Sequence, residues 1–194
     1  MTALRMTLAE LQLKMQPFLN TLIHQPRTSN KGEVGVLLEK LTGIPQSSVC
    51  LDCQDGELKV FPVKRNAKGA LVPKETIAVT MLSKDELKAA SFSDSRVCKK
   101  MTKMLVVPYE RTGDKVRYLE PTLVDSSSEK FKETFGKLEC DYNAIRAAFL
   151  ESGELKSSVG ALMQNRTKGA GHGTTSRAFY LKKEFIKENI LIPN

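Results

Sequence analysis

One stretch organises this sequence: Asp52-Cys53-Gln54-Asp55-Gly56-Glu57-Leu58-Lys59, which leads into the apolar residues 60–63. Its glycine and polar residues predict a turn, and the residues after Gly56 predict a strand. Because side chains alternate along a strand, Glu57 and Lys59 should share one face while Leu58 points to the other. The pattern therefore predicts a carboxylate and an ammonium group side by side, just after a turn that carries Asp52.

This combination of charges suits metal-dependent hydrolysis of a phosphodiester. Two carboxylates can hold Mg²⁺, which prefers hard oxygen ligands, and the ammonium group of Lys59 can neutralise charge that develops on phosphorus. The plainer interpretation is a solvent-exposed hairpin, because acids and lysines are common residues. A second Glu-Leu-Lys string at residues 154–156 has only Glu151 shortly before it and is interpreted as a chance recurrence.

Length and charge limit the possible classes of protein. The 194 residues are enough for one domain with its own core, and 30 Lys and Arg against 22 Asp and Glu give a net charge of +8. This excess favours a polyanionic partner without identifying it. No apolar run is long enough to span a membrane, and the first residues lack the apolar region of a signal peptide. We therefore expect a cytoplasmic protein with no membrane partner.

The cysteines indicate a reducing environment. They are too few and too scattered for a secreted disulfide framework. Cys50 and Cys53 form a Cys-x-x-Cys pair, which can indicate zinc or redox chemistry, but no second such pair follows and the two histidines are distant in sequence. We expect reduced cysteines that pack in the interior.

Apolar periodicity predicts a mixed chain of helices and strands. A capping box at Thr7 and Glu10 should open a helix that Pro17 kinks or divides, and a second helix should run from Asn30 to Gly43. Leu22 continues the apolar stripe of the first helix. Strands are expected at 49–52, 57–64 and 76–81, with a meander as the simplest topology.

The second half of the chain should contain a hairpin and a long helix. The hairpin joins 105–109 to 116–119 around Gly113. The helix begins after the serines at 126–128, because Phe131, Phe135, Leu138 and further large apolar residues recur with the helical period as far as 149. A short helix should follow Ser83, and residues 153–164 should form another strand or hairpin.

Two segments carry clustered cations. Residues 94–104 predict a helix with Met104 on its inner face and a basic outer face of Arg96, Lys99, Lys100 and Lys103. Residues 165–177 combine Arg166 and Lys168 with glycines and hydroxyl residues, which suits a loop laid against phosphates and base edges. Each segment could equally be an ordinary solvent-exposed surface.

Four sequence blocks occur in a distinctive order. They are Lys31-Gly32-x-Val34-Gly35-x-Leu37-Leu38-Glu39, Glu57-Leu58-Lys59-x-x-Pro62-Val63, Leu105-x-Val107-Pro108 and Phe179-Tyr180-Leu181-Lys182-Lys183-x-Phe185. Together they resemble the MutH family of mismatch-repair endonucleases and the type II restriction endonucleases related to it. These families belong to the PD-(D/E)xK nucleases.

The resemblance implies a fold and an activity. The fold would be of the α/β (α+β) class, a restriction-endonuclease-like core with a mixed central sheet flanked by helices and a DNA cleft between two lobes. Residues 1–194 would form a single endonuclease domain, with a catalytic lobe at about 1–110 and a recognition lobe at 111–194 whose C-terminal tail packs back. The activity would be Mg²⁺-dependent hydrolysis of DNA at GATC sites, with Mn²⁺ as a substitute for Mg²⁺.

The resemblance also implies site residues. Asp52 and Glu57 would be the catalytic, metal-binding carboxylates, Lys59 the catalytic lysine and Glu39 an additional catalytic acid. Asp55 remains the alternative first carboxylate, because Asp52 lies closer to Glu57 than the corresponding residue does in the family. The DNA-binding residues would be Lys31, Arg166, Lys168 and Tyr180, joined by Lys99, Lys100 and Lys103 of the basic helix.

The expected partner is double-stranded DNA, with a mismatch-repair activator protein or self-association on DNA as further possibilities. Two alternatives stay open. One is a catalytically inactive DNA-binding module of the same fold, and the other is a basic protein-interaction domain without a DNA role. The sequence does not decide whether one strand or both strands are cut.

Overall fold

The computed structural model describes residues 5–30, 32–45, 50–168 and 175–192. Within this part of the chain no helix is both long and apolar enough to cross a bilayer. The helices are α1 (Leu8–Met15), α2 (Glu33–Thr42), α3 (Lys84–Ala89), α4 (Arg96–Met101), α5 (Glu129–Ser152) and α6 (Lys183–Asn189). The strands are β1 (Ile23–His24), β2 (Glu57–Arg65), β3 (Leu71–Pro73), β4 (Ile77–Met81), β5 (Lys103–Thr112), β6 (Lys115–Tyr118), β7 (Thr122–Asp125), β8 (Met163–Thr167) and β9 (Arg177–Leu181).

The chain forms two compact units, each built from two segments. The first contains Met1–Glu75 and Lys103–Val124, and the second contains Thr76–Thr102 and Asp125–Asn194. These units do not follow the predicted boundary near residue 110, because β6 pairs with β5 and so belongs with the first unit. The division into a catalytic and a recognition lobe remains a prediction.

The first unit is organised around a mixed sheet. Its strand order is β1-β6-β5-β2-β3, and β7 also pairs with β5. β2 and β5 are parallel, whereas β2 with β3 and β5 with β6 are antiparallel. The predicted mixed sheet and the hairpin are confirmed, but the predicted meander is wrong. A parallel pair needs a long crossover, and alternation along a strand does not reveal which strands pair.

Two helices cover one face of this sheet. Apolar side chains of α1 and α2 pack with apolar side chains of β2, β5 and β6 in one core, whose members include Leu11, Met15, Leu38, Leu58 and Val107. The helices are therefore held by the strand that carries Glu57 and Lys59.

The local signals for these two helices are largely confirmed. The capping box at Thr7 is present, and Pro17 lies in a 3-10 turn that follows α1. α2 begins at Glu33 rather than near Asn30, whose side chain accepts the Gly32 N–H at 2.9 Å. The expectation for Leu22 is wrong, because the chain leaves the helix before it and its side chain is exposed.

The segment before β2 differs from the prediction. Residues 50–52 of the expected strand at 49–52 are irregular, and residue 49 lies outside the described residues. The backbone donors here have other acceptors: Cys53 N–H bonds to Gly56 O, and Gln54 N–H bonds to Met6 O, each at 3.0 Å. A Cβ on Gly56 would lie 2.5 Å from Lys103 O, so only glycine fits this close approach.

The basic helix is shorter than predicted. α4 ends at Met101, and Lys103 and Met104 begin β5. Met104 pairs with Glu57 in the parallel register and is fully buried there. The prediction that Met104 is buried is therefore correct, but Met104 belongs to a strand and not to the helix. The error arises because a buried strand directly after a helix continues the apolar pattern.

The second unit contains a three-stranded antiparallel sheet in the order β4-β9-β8. The long helix α5 is confirmed, with the predicted stripe buried except for Phe135, which is half-buried. Tyr142 of this helix stacks on Phe179 of β9 with ring centroids 5.9 Å apart. The expected loop at 165–177 is partly wrong, because its ends belong to β8 and β9; residues 169–174 lie outside the described residues.

Residues 153–162 are irregular, and the strand predicted at 153–164 begins only at Met163. The cause is Asp141 of α5, whose carboxylate accepts the N–H groups of Ala161, Leu162 and Met163 at 2.7 to 2.8 Å. Gly160 allows this path with a φ of 97°, and a Cβ there would lie 1.9 Å from Met163 O. A buried carboxylate therefore occupies backbone donors that a strand would have used.

Candidate active site

Glu57 and Lys59 meet at the start of β2. Lys59 Nζ donates to Glu57 Oε1 at 2.7 Å, and the two side chains are 15% and 3% exposed for Lys59 and Glu57 respectively. Their residues alternate with Leu58, which packs in the core with α1 and α2. Because water screens a buried pair less than an exposed one, the attraction between these two charges is stronger than it would be at the surface.

Asp52 lies against the same end of the strand. Its Oδ2 accepts the backbone N–H of Leu58 at 3.0 Å, and Leu58 is the residue between Glu57 and Lys59. The turn closed by Cys53 and Gly56 brings the carboxylate back to this position. The structure thus brings together the two carboxylates and the ammonium group of the predicted catalytic set.

Glu39 joins this group from α2. Burial raises the pKa of its carboxyl group above the ordinary value, the negative charges of Asp52 and Glu57 raise it further, and Lys59 lowers it. A Cβ on Gly35, one turn earlier, would still lie 3.9 Å from Val60 Cβ, so α2 runs close to β2. The sequence placed Glu39 here only through the resemblance, since nothing in its local pattern distinguishes it from a surface residue.

Asp55 has different partners. Its Oδ1 accepts the N–H of Leu8 at the start of α1 at 2.8 Å, and its Oδ2 accepts from Lys103 Nζ at 2.7 Å. Burial by itself would raise the pKa of Asp55, but the bonds from Lys103 and Leu8 bring it below the ordinary value. Asp55 therefore connects α1 to β5, whereas Asp52 contacts the strand that carries Glu57.

Asp52 and Glu57 offer the hard oxygen donors that Mg²⁺ prefers. Among the described residues, no group of three or more His, Cys, Asp or Glu side chains is arranged to hold a metal ion. Mg²⁺ is commonly held by only one or two carboxylates together with water and substrate phosphates, so Asp52 and Glu57 can suffice.

The Cys-x-x-Cys pair does not add to this set. Cys50 and Cys53 are free thiols, and Cys53 is fully buried in the core. Burial, followed by the nearby charges of Asp52 and Asp55, raises the pKa of Cys53 to about 12. The expectation of a packing cysteine is confirmed for Cys53.

The residues predicted to bind DNA lie in several places. In the second unit, the Arg166 guanidinium lies 5.4 Å from the centre of the Tyr180 ring, and its Nη1 donates to Thr76 Oγ1 at 3.3 Å. Lys168 follows β8, and its N–H bonds to Ser176 O at 2.8 Å. Thr76 was not found from the sequence, because no local pattern relates it to a residue 90 positions away.

The basic helix contributes fewer cations than predicted. Lys99 is exposed and Lys100 is half-buried on α4. Arg96 is bound to Glu86 through its Nε at 2.9 Å. Lys103 belongs to the first unit and binds Asp55. Lys31 lies outside the described residues.

Comparison with known proteins gives one family. Residues 48–127 match the family described as MutH, DNA mismatch repair enzyme MutH. The matched range contains Asp52, Glu57 and Lys59, and it ends before Arg166 and Tyr180. No match was found among curated proteins.

The family match agrees with the rest of the molecule. The architecture is α+β with a mixed sheet and flanking helices, as in restriction-endonuclease-like proteins. The matched family is described as a DNA mismatch repair enzyme. The segment 48–127, which is less than half of the chain, is thus similar to the MutH family, and the architecture around it is consistent with that similarity.

Proposed function

We propose that this protein is a Mg²⁺-dependent, sequence-specific DNA endonuclease that cuts at GATC-like sites, as a restriction or mismatch-repair-type enzyme. The observation that carries the proposal is the buried pair of Lys59 and Glu57, 2.7 Å apart, with Asp52 held to the backbone between them. The MutH family match spans these three residues and supports the same conclusion.

Asp52 and Glu57 would hold the metal ion. Bound there, Mg²⁺ would polarise a phosphoryl oxygen and lower the pKa of a water molecule, and we expect Mn²⁺ to substitute for it. Glu57 begins β2, and Asp52 lies in the turn before β2 and accepts the N–H of Leu58, whose side chain packs in the core. The first unit would therefore present both carboxylates from one packed end of this strand.

Lys59 would act on the scissile phosphate. Its ammonium group can neutralise the charge that develops on the phosphorus oxygens, and its bond to Glu57 fixes it before DNA arrives. Such preorganised charge contributes most in a site that excludes water. Glu39 has a raised pKa, so it accepts a proton more readily than an ordinary glutamate and could take one from the attacking water. The leaving group would be the 3′ oxygen, and the product would carry a 5′ phosphate.

DNA would be held by the cations and the tyrosine named above. Arg166, Lys168 and Tyr180 would contact the target site, and Lys99, Lys100 and Lys31 would contact the backbone. Lys103 has the smallest expected contribution to DNA affinity, because its ammonium group already binds Asp55. Several phosphate contacts should make log K fall with log salt by about 0.9 per contact.

The experiment that tests the proposal is cleavage of a supercoiled, unmethylated plasmid with GATC sites. Wild-type protein should produce nicked or linear DNA with Mg²⁺ or Mn²⁺ and none with EDTA. Lys59→Ala should lose cleavage and still shift DNA in a gel. The matched control is Lys64→Ala, because Lys64 is an exposed lysine on the opposite face of the same strand and should keep full activity.

The same experiment separates the alternatives. Salt-dependent DNA binding by the wild type without any cleavage would establish a catalytically inactive DNA-binding module. Absence of salt-dependent binding would instead favour a protein-interaction domain. The ratio of nicked to linear product over time reports whether one strand or both are cut, and methylated plasmid reports methylation sensitivity.

The two further partners can be tested with the active enzyme. Self-association on DNA should make linearisation depend on the number of sites per plasmid. A mismatch-repair activator should raise the rate of nicking at a single site. Neither effect should restore activity to Lys59→Ala.

A further inference from the structure

The three-stranded sheet of the second unit has one buried face and one polar face. Met163, Phe179 and Leu181 lie on the buried face. The residues between them point the other way, because side chains alternate along a strand. Two rows of residues cross the three strands on the polar face. One row contains Gln164, Tyr180 and Ala78, and the other contains Arg166, Ala178 and Met81.

The polar face carries the exposed cation Arg166, whose guanidinium contacts two neighbouring side chains. Arg166 lies over the Tyr180 ring and donates to Thr76, as described above. Its cross-strand neighbour is the small, buried residue Ala178, and the exposed Met81 lies beyond Ala178 in the same row. A cation held in this way loses little conformational freedom when it meets a ligand.

Gln164 lies beside this arrangement. It is directly opposite Tyr180 and two residues before Arg166, on the same face. Its side chain is half-buried, and its amide makes no hydrogen bond to the other described residues. A half-buried amide gains most from a ligand that offers a donor and an acceptor together, because both of its polar atoms are then satisfied.

The edge of adenine offers this pair of groups. Glutamine can bond to adenine N6 and N7 at once, whereas arginine and lysine suit guanine or phosphate. Alternate residues of a strand are roughly 6.7 Å apart. This is close to two base-pair steps of about 3.4 Å each. Gln164, Arg166 and Lys168 therefore have a spacing that matches every second base pair along a groove.

We propose that Gln164 determines specificity by binding the N6 and N7 edge of an adenine in the target site, next to the Arg166 that Tyr180 and Thr76 hold in place. This inference rests on the proposed endonuclease function. It adds a base-reading residue that lies outside the resemblance and outside the matched range of residues 48–127. A GATC-like site contains one adenine on each strand, so each strand offers a partner.

The test compares binding of wild-type protein and Gln164→Ala to short GATC duplexes in EDTA. The probes carry adenine, 7-deazaadenine, which lacks N7, or purine, which lacks the N6 amino group. Wild-type protein should bind each analogue duplex about fivefold more weakly or worse, which is the low end of discrimination by one bidentate contact. Gln164→Ala should bind all three duplexes with similar affinity. Gln16→Ala, an exposed glutamine outside the second unit, is the matched control and should discriminate as the wild type does.

The outcomes separate this inference from the proposed function. If the wild type cleaves GATC plasmid but Gln164→Ala keeps the full preference for adenine, the role of Gln164 is wrong and the endonuclease function stands. Equal binding of all three probes by the wild type would also overturn the role of Gln164. If the wild type neither binds nor cleaves DNA, the proposed function fails and this inference fails with it. Circular dichroism and urea unfolding should show that Gln164→Ala is folded.

Discussion

The tripeptide Glu-Leu-Lys occurs twice in this chain, and the two copies lie in opposite surroundings. In the first copy, Lys59 Nζ lies 2.7 Å from Glu57, with side chains 15% and 3% exposed. In the second copy, Lys156 Nζ lies 4.0 Å from Glu154, with side chains 58% and 72% exposed. Water and salt screen the second pair, which therefore contributes little, whereas the first pair is held apart from solvent.

The difference comes from the position of each copy in the fold. The first copy begins β2, which pairs on both sides and packs against α1 and α2. The second copy lies in the irregular segment before β8, where Lys156 contributes its backbone carbonyl to the buried Asn165. The same three residue types can thus supply chemistry in one place and only a surface in the other.

The largest expected effect is on the cleavage rate, and it distinguishes Glu57 of the first copy from Glu154 of the second. Glu57→Gln should lower the cleavage rate about 10²- to 10³-fold, because the charge that pairs with Lys59 and would hold the metal is lost. Glu154→Gln should leave the rate unchanged. Initial rates on GATC plasmid measure both, with circular dichroism as the check on folding. Equal rates for the two variants would contradict the distinction between the copies.

A large effect on stability is expected at Asp141, which shapes the segment that contains the second copy. Asp141→Ala leaves three backbone N–H groups without their acceptor and should lower the free energy of unfolding by about 3 kcal/mol. Cleavage per folded molecule should stay unchanged. Urea unfolding and activity corrected for the folded fraction measure this. Glu151→Ala, an exposed acid on the same helix, is the control and should have little effect.

A smaller effect distinguishes the two aspartates next to the first copy. Asp55→Ala should lower the free energy of unfolding by about 1 to 2 kcal/mol, because α1 loses the acceptor at its first N–H group and the ion pair with Lys103 is lost. Asp52→Ala should lose cleavage, and it should also lower the free energy of unfolding by about 1 kcal/mol, because the Leu58 N–H loses its acceptor. Equal activity of Asp52→Ala and wild type would exclude Asp52 as the first carboxylate.

The effect of Asp55 should also depend on pH. Its pKa is lowered in the folded protein, so its stabilisation is present above the ordinary value of 3.8 and is lost as the pH falls through the folded pKa. The difference in stability between wild type and Asp55→Ala should therefore shrink under strongly acidic conditions. A constant difference across that range would show that Asp55 does not stabilise through its charge.

The smallest expected effect has the opposite sign. Burial, then Asp52 and Glu57, raise the pKa of Glu39, so its charged form is unfavourable in the folded protein. The protonated Glu39 carboxyl group stabilises the folded protein, and this stabilisation is lost as the pH rises through the raised pKa of Glu39. Glu39→Gln should therefore unfold at higher urea than the wild type at neutral pH in EDTA, with the difference shrinking below the ordinary pKa of 4.5. The same variant should cleave DNA more slowly, and a loss of stability would refute this account of Glu39.

Local chemistry made much of the fold predictable from the sequence. The capping box of Thr7, the left-handed Gly43 that ends α2 and the periodic stripe of α5 each act over a few residues. Alternation likewise placed Glu57 and Lys59 on one face of a strand, and the structure brings them into contact. Helix ends and strand alternation are determined by neighbouring residues, so one sequence is enough to predict them.

Distant contacts decided the rest. The parallel pairing of β2 with β5 brings residue 57 beside residue 104, and Asp55 is bound by Leu8 and Lys103 rather than placed with the catalytic group. Thr76 and Tyr180 hold Arg166 although all three lie far apart in sequence or on different strands. By itself the sequence determined which residues could do chemistry and which local elements carry them. Burial and pairing across the chain decided which Glu-Leu-Lys copy is held beside two further carboxylates, because only tertiary packing excludes water and brings distant charges together.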